Sequence, residues 1–166
     1  MIALDILSDG FFAAIAAIGF GAISDPPLKA FRPIAILAAI GHACRFCLMT
    51  YGGVEIAAAT LVASLLCGFG SLLLGKRRRL PMTVLYVPAL LPMVPGKYAY
   101  NMIFAQIMYL HSIDDPSARA LYMDTFFSQS MTAITVVFML ALGAMIPMLL
   151  FPNYAYALTR SNKLSR

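Results

Sequence analysis

The sequence predicts an all-α, polytopic integral membrane protein of about five transmembrane helices, the fourth broken by Pro92 and Pro95-Gly96. Composition is the first reason. Of 166 residues, 61% are hydrophobic and 11% charged, against roughly 45–50% and about 25% in an average soluble domain. Mean hydropathy of +0.85 is the second. The third is placement: long apolar runs alternate with short polar intervals that hold most of the charge. A chain this small has too much surface for a soluble core to use so much apolar side chain. Lipid covers the excess, and a soluble single-domain enzyme is excluded.

Spans are expected at approximately 6–24, 33–50, 56–75, 82–110 and 125–151, forming one transmembrane domain over 1–166. The uncharged stretch of the first, Gly10 to Ser24, is only about 15 residues, short for a hydrocarbon core of about 30 Å, so residues back to Leu4 are drawn in. Asp5 and Asp9, with no Lys or Arg beside them, are unlike the basic start of a cleaved secretory signal. Asp25-Pro26-Pro27 ends this span. The second starts near Pro33, a residue suited to a first helical turn, and ends at Tyr51-Gly52-Gly53. The third stops at Lys76-Arg77-Arg78-Arg79. As one straight helix the fourth would reach about 43 Å, and Pro88, Pro92 and Pro95-Gly96 argue against continuity. Pro152-Asn153 closes the fifth, which follows a polar interval from His111 to Asp124.

Charge points to an orientation, with a re-entrant fourth segment, which would put the tail outside, as the less favoured alternative. With the amino terminus outside and five crossings, Lys29, Arg32, Lys76 to Arg79, Arg160, Lys163 and Arg166 all fall on the cytoplasmic side, carboxyl terminus included. Only Arg119 joins Asp5, Asp9, Glu55, Asp114, Asp115 and Asp124 on the other. Bias of Lys and Arg toward the inside supports this arrangement. The basic run abuts a span with no domain beyond it and reads as a headgroup anchor, not a nucleic-acid site. Cys44 and Cys47 form a C-x-x-C without a second pair, and with Cys67 they read as packing residues. No cofactor or metal is implied, and hydrolase, kinase and dehydrogenase signatures are absent.

Few full-strength polar groups lie within the spans. His42 and Arg45 are three residues apart and share a helix face. An arginine at a helix centre costs about 2.5–3.5 kcal/mol on insertion scales. No acid is expected inside any span to neutralise it, which favours an external anion or another subunit's carboxylate; snorkelling to headgroups is the alternative. Depth alone makes Asp124 a possible partner. His42 suits a proton carrier or an interhelical hydrogen bond. The Pro92-to-Gly96 break would free backbone amides and aim the positive end of the restarted helix at a carboxylate. Lys97, Tyr100 and Asn101 would stand beside it; a kink used only for packing is the rival reading.

Two stretches resemble the threonine/serine exporter family, in its small membrane subunit of two-component exporters. They are Gly41-His42-Ala43-Cys44-Arg45, a G-H-x-x-R core, and Pro92-Met93-Val94-Pro95-Gly96 followed by Ala99-Tyr100. The resemblance implies a bacterial inner-membrane protein working with a larger subunit that carries a soluble amino-terminal region. It implies export of threonine and serine, or of a dicarboxylate such as succinate, driven by the proton-motive force. The motifs carry over to His42, Arg45, Pro92, Pro95, Gly96 and Tyr100; Lys97 departs from the apolar residue expected there.

The expectation is a secondary-transporter subunit, not an enzyme, moving a small carboxylate-bearing metabolite. Arg45, Pro92, Pro95, Gly96, Lys97, Tyr100 and Asn101 are the substrate-binding candidates, and His42 the proton-coupling one. Its partners are the larger subunit, the substrate and the bilayer, with a homo-oligomer left open. Alternatives are a non-transporting subunit that assembles or stabilises its partner, and a membrane enzyme acting on lipid.

Overall fold

A computed structural model describes residues 2–152, so Arg160, Lys163 and Arg166 lie outside the described residues. The described chain is helical, with α1 at Ile2–Ile23, α2 at Phe31–Thr50, α3 at Ile56–Arg78, α4 at Met82–Leu90, α5 at Gly96–His111 and α6 at Pro116–Leu150. Short 3₁₀ turns at Leu28–Ala30 and Leu91–Met93 lead into α2 and out of α4. Four stretches are long and apolar enough to cross a membrane: Leu4–Ile23, Leu28–Thr50, Ile56–Arg78 and Pro116–Leu150; Met82–Met93 is a shorter apolar helix. The chain is a multi-pass membrane protein.

The described residues form two compact units, one from 2–93 with 139–152, the other from Val94–Phe138. In the first, Ala17, Ile34, Leu37, Ala38, Leu85 and Ala89 bring α1, α2 and α4 into one buried cluster. Small residues set the spacing. A Cβ on Gly10 would lie 3.1 Å from the Ala39 carbonyl, so α1 and α2 touch backbone to backbone. Ala59, Ala63 and Ser64 on α3 are fully buried, and Gly68 faces the Gly143 and Ala144 carbonyls of α6. Ser64 Oγ donates to the carbonyls of Leu61 at 3.0 Å and Met139 at 3.1 Å. Close approach of small residues substitutes for the hydrophobic driving force that lipid removes. Phe11, Ile15, Ile36, Leu66 and Leu73 are exposed, as lipid-facing positions should be.

Helix ends differ from the expected span ends where local chemistry extends them. The third helix runs through Lys76, Arg77 and Arg78, because cations suit the negative end of a helix. Arg79 then takes a left-handed conformation (φ 53°), and the Leu80 amide closes on the Gly75 carbonyl at 2.9 Å. The interval between His111 and Asp124, expected as a polar loop, is mostly helix. Asp115 Oδ1 accepts from the amides of Ser117 (3.0 Å) and Ala118 (3.1 Å), and Pro116 opens α6 as a first-turn proline. With 35 residues, α6 is about 52 Å long, well beyond a hydrocarbon core of about 30 Å.

The expected fourth span is divided as its prolines predict. After the 3₁₀ turn, Pro95 adopts φ −78° and ψ 62°, and the Gly96 amide donates to the Val94 carbonyl at 2.8 Å. This is an inverse γ-turn, from which α5 starts. Gly96–His111 has 16 residues, about 24 Å of helix.

Candidate functional site

The polar face of α2 is where the sequence analysis and the structure meet. Gly41 is buried against α3 and the break: an added Cβ would collide with Cys67 Sγ and lie 2.8 Å from Met93 Cε. Only glycine brings α2 this close, and the close approach carries the next turn of the helix to the end of the 3₁₀ turn. There Arg45 Nη1 donates to the Met93 carbonyl at 2.8 Å. Prolines at Pro92 and Pro95 deprive this segment of regular helical bonding, and the guanidinium supplies a donor the backbone lacks. Arg45 is half-buried and turned onto the break.

The other end of the same guanidinium meets His42, with Arg45 Nη2 3.3 Å from His42 Nε2. His42 Nδ1 pairs with Asp9 Oδ2 at 2.5 Å. This corrects the expectation that no acid lies inside a span: α1 starts at Ile2 and its apolar stretch, Leu4–Ile23, contains Asp9. Both side chains are about one-fifth exposed (18% and 22%). Thirty-three residues separate Asp9 from His42, and only packing of α1 on α2 joins them. The signal was present, because the first apolar run was too short to span without drawing in Asp9.

Other predicted site residues fall as follows. Pro92 is half-buried within the 3₁₀ turn, Pro95 is buried, and Gly96 is exposed with nothing within 4 Å of an added Cβ. The amides of the restarted helix are partly used: Gly96 donates to Val94, and Tyr98 to the Pro95 carbonyl at 3.1 Å. Within the second unit, Lys97 and Tyr100 are exposed, and the Tyr100 ring stacks on Phe104 with centroids 6.4 Å apart. Asn101 is half-buried, and its Nδ2 donates to Gln129 Oε1 at 3.4 Å. Cys44, Cys47 and Cys67 are free thiols, and Cys67 Sγ donates to the Leu37 carbonyl at 3.4 Å. Among the described residues no group of three or more His, Cys, Asp or Glu is placed to hold a metal ion.

Comparison with known proteins adds a family. A family model described as "Threonine/Serine exporter, ThrE" matches residues 9–150. The chain belongs to the threonine/serine exporter family. Asp9 is the first residue of that match, and the G-H-x-x-R and P-x-x-P-G stretches both fall within it. An uncharacterised protein of Haemophilus influenzae (strain ATCC 51907 / DSM 11121 / KW20 / Rd) is 34% identical over 143 residues, which is 86% of this chain and 48% of the relative. This member of the exporter family thus spans about half the length of that curated relative. No solved structure matches the chain.

Proposed function

We propose that the chain is the membrane subunit of a secondary transporter that exports a small carboxylate-bearing metabolite, threonine and serine or a dicarboxylate such as succinate. The observation that carries the reading is the Arg45–Met93 bond. It joins an arginine of the apolar α2 stretch to the backbone of a broken helix, an arrangement suited to an anionic solute. Arg45 serves as anion partner and His42 as proton carrier for a cycle driven by the proton-motive force. The Pro92-to-Gly96 segment acts as backbone cradle, with Lys97, Tyr100 and Asn101 next to it in sequence as further contacts. Five crossings form one transmembrane domain in a bacterial inner membrane, amino terminus outside and carboxyl terminus cytoplasmic, as the charge bias favours.

The chain spans 48% of the length of its relative from Haemophilus influenzae, which leaves room for a larger partner to supply the rest. Efflux of labelled threonine, serine and succinate is measured from cells with and without the chain, and with and without the partner. Efflux that needs both proteins is expected; efflux unchanged by removing this chain overturns the reading.

One observation favours a second reading. Arg45 satisfies a backbone carbonyl, a use that a purely assembling subunit also needs. A cysteine at Ile40 or Phe46, in a background without native cysteines, separates the two. Reaction with a charged thiol reagent marks a wet transport face, and protection from it only when the partner is present marks an assembly face.

A further inference from the structure

We propose that Asp9 and His42 form a proton-binding pair within the membrane, and that Arg45 couples its occupancy to the helix break at Met93. The transport role of this pair rests on the exporter reading above; the proton site itself stands on geometry. Three contacts define it: Asp9 Oδ2 to His42 Nδ1 at 2.5 Å, His42 Nε2 to Arg45 Nη2 at 3.3 Å, and Arg45 Nη1 to the Met93 carbonyl at 2.8 Å.

Hydrogen-bond chemistry fixes where the protons are. A guanidinium carries only donors, so His42 Nε2 facing Arg45 must offer its lone pair. A neutral imidazole has one donor nitrogen and one acceptor nitrogen, which leaves the hydrogen on Nδ1, directed at the Asp9 carboxylate. Asp9, His42 and Arg45 together then carry no net charge. That balance suits a site inside a bilayer, where an unpaired charge is costly.

One further proton upsets the arrangement at a single place. Taken from water, it occupies the Nε2 lone pair, forms one N–H bond and converts His42 to imidazolium. An N–H now faces an N–H across 3.3 Å, between two positive groups that repel. The Asp9–His42 contact becomes a carboxylate–imidazolium pair and tightens, so the guanidinium is the side that gives way. As it leaves, the Met93 carbonyl loses its donor at the end of a turn already interrupted by prolines. Loss of the proton to water restores the tie. The proton state of the pair thereby sets whether α2 holds the break.

Other charged groups on the packed elements are few. Asp5 lies one turn before Asp9 on α1, toward Tyr51 at the end of α2. Glu55 precedes α3, Cys44 and Cys47 share α2 with His42, Cys67 of α3 lies against Gly41 of α2, and Tyr86 belongs to α4. Arg32 and Lys76–Arg78 stand at the far ends of α2 and α3.

The test uses the full chain in lipid nanodiscs, with His111→Asn so that His42 is the remaining histidine. Side-chain nitrogen NMR is expected to show the Nδ1–H tautomer at high pH and imidazolium at low pH. Amide exchange of residues 91–96, corrected for the intrinsic effect of pH, should quicken about tenfold in the imidazolium form, the equivalent of one lost hydrogen bond. His42→Gln should flatten that response. Asp9→Asn should alter that response as well, because the imidazolium loses its counter-charge. An Nε2–H tautomer at high pH, a flat profile in the parent, a response that survives His42→Gln, or an Asp9→Asn profile identical to the parent's overturns the proposal. Should His42→Gln fail to fold, Asp9→Asn decides. Efflux of labelled threonine, serine and succinate is followed in parallel with the partner present. No efflux with the expected exchange profile sinks the exporter reading alone; efflux with a flat profile sinks the proton coupling alone.

Discussion

Arg45 and Met93 lie 48 residues apart in the chain and are joined by a 2.8 Å bond from a guanidinium to a backbone carbonyl. Side chains that bond to other side chains can often be exchanged in pairs, but a bond to a carbonyl depends on the arginine alone. The same guanidinium reaches His42 through its second nitrogen. A planar fork serves both acceptors at once, which a single ammonium on a flexible stem does less well.

Arg45→Gln should therefore lower both stability and transport. A hydrogen bond from a charged donor is worth about 1.5–3 kcal/mol, so thermal unfolding in nanodiscs should shift down by a corresponding amount. Efflux should fall at least tenfold. Arg45→Lys should be intermediate in both. Unchanged unfolding in Arg45→Gln would show that the Met93 contact does not hold the break.

Gly41 tests the contact between α2 and α3. Gly41→Ala places a methyl group against Cys67 Sγ and Met93 Cε, and overpacking of this kind costs about 1–3 kcal/mol. Removing the sulfur in Gly41→Ala, Cys67→Ala should return part of that loss, a coupling that unfolding of both single variants and the pair would reveal. Strict additivity would count against the contact.

Gly143 and Gly96 should behave oppositely. An added Cβ at Gly143 would strike Ser64 Oγ and also the Leu61 carbonyl and Leu65 amide, each at 2.9 Å. Backbone cannot move aside, so Gly143→Ala should fail to fold, and Ser64→Ala should not rescue it. Gly96→Ala meets nothing within 4 Å and should unfold like the parent. If a carboxylate approaches the chain at this glycine, its efflux should fall several-fold with folding intact.

Asp115 gives a prediction with a definite sign in pH. Its carboxylate sits below the usual value of 3.8, chiefly through the Ser117 hydroxyl and then the Ala118 amide. A group lowered on folding contributes stability above its unfolded value, and that contribution is lost as pH falls through the folded value. Exchange of the Ser117 and Ala118 amides, corrected for the intrinsic effect of pH, should be slow above about pH 4 and rise at lower pH. Asp115→Ala should remove this dependence by making both amides fast throughout. The same pH profile in the variant would refute the cap.

Much of this protein was legible in one dimension, for identifiable reasons. Apolar runs and basic stops announced α1, α2, α3 and the apolar part of α6, because a bilayer imposes its thickness on any chain that crosses it. Pro92 and Pro95 announced the broken helix, since a missing amide and a fixed φ act wherever they occur. His42 and Arg45 stood out because oil makes them expensive. The start of α6 was not legible as helix: a polar, aspartate-rich interval looks like a loop until Asp115 is seen closing the first turn.

Tertiary structure alone decided the rest. Asp9 looked like a residue outside the membrane until α1 packed against α2 and delivered it to His42. The acceptor for Arg45 was harder still to foresee, because every residue carries a carbonyl and no letter of the sequence distinguishes the one at Met93. A sequence can show that a charge within lipid needs a partner; which atom answers depends on how helices approach, and Gly10 and Gly41 set that approach through side chains they do not have.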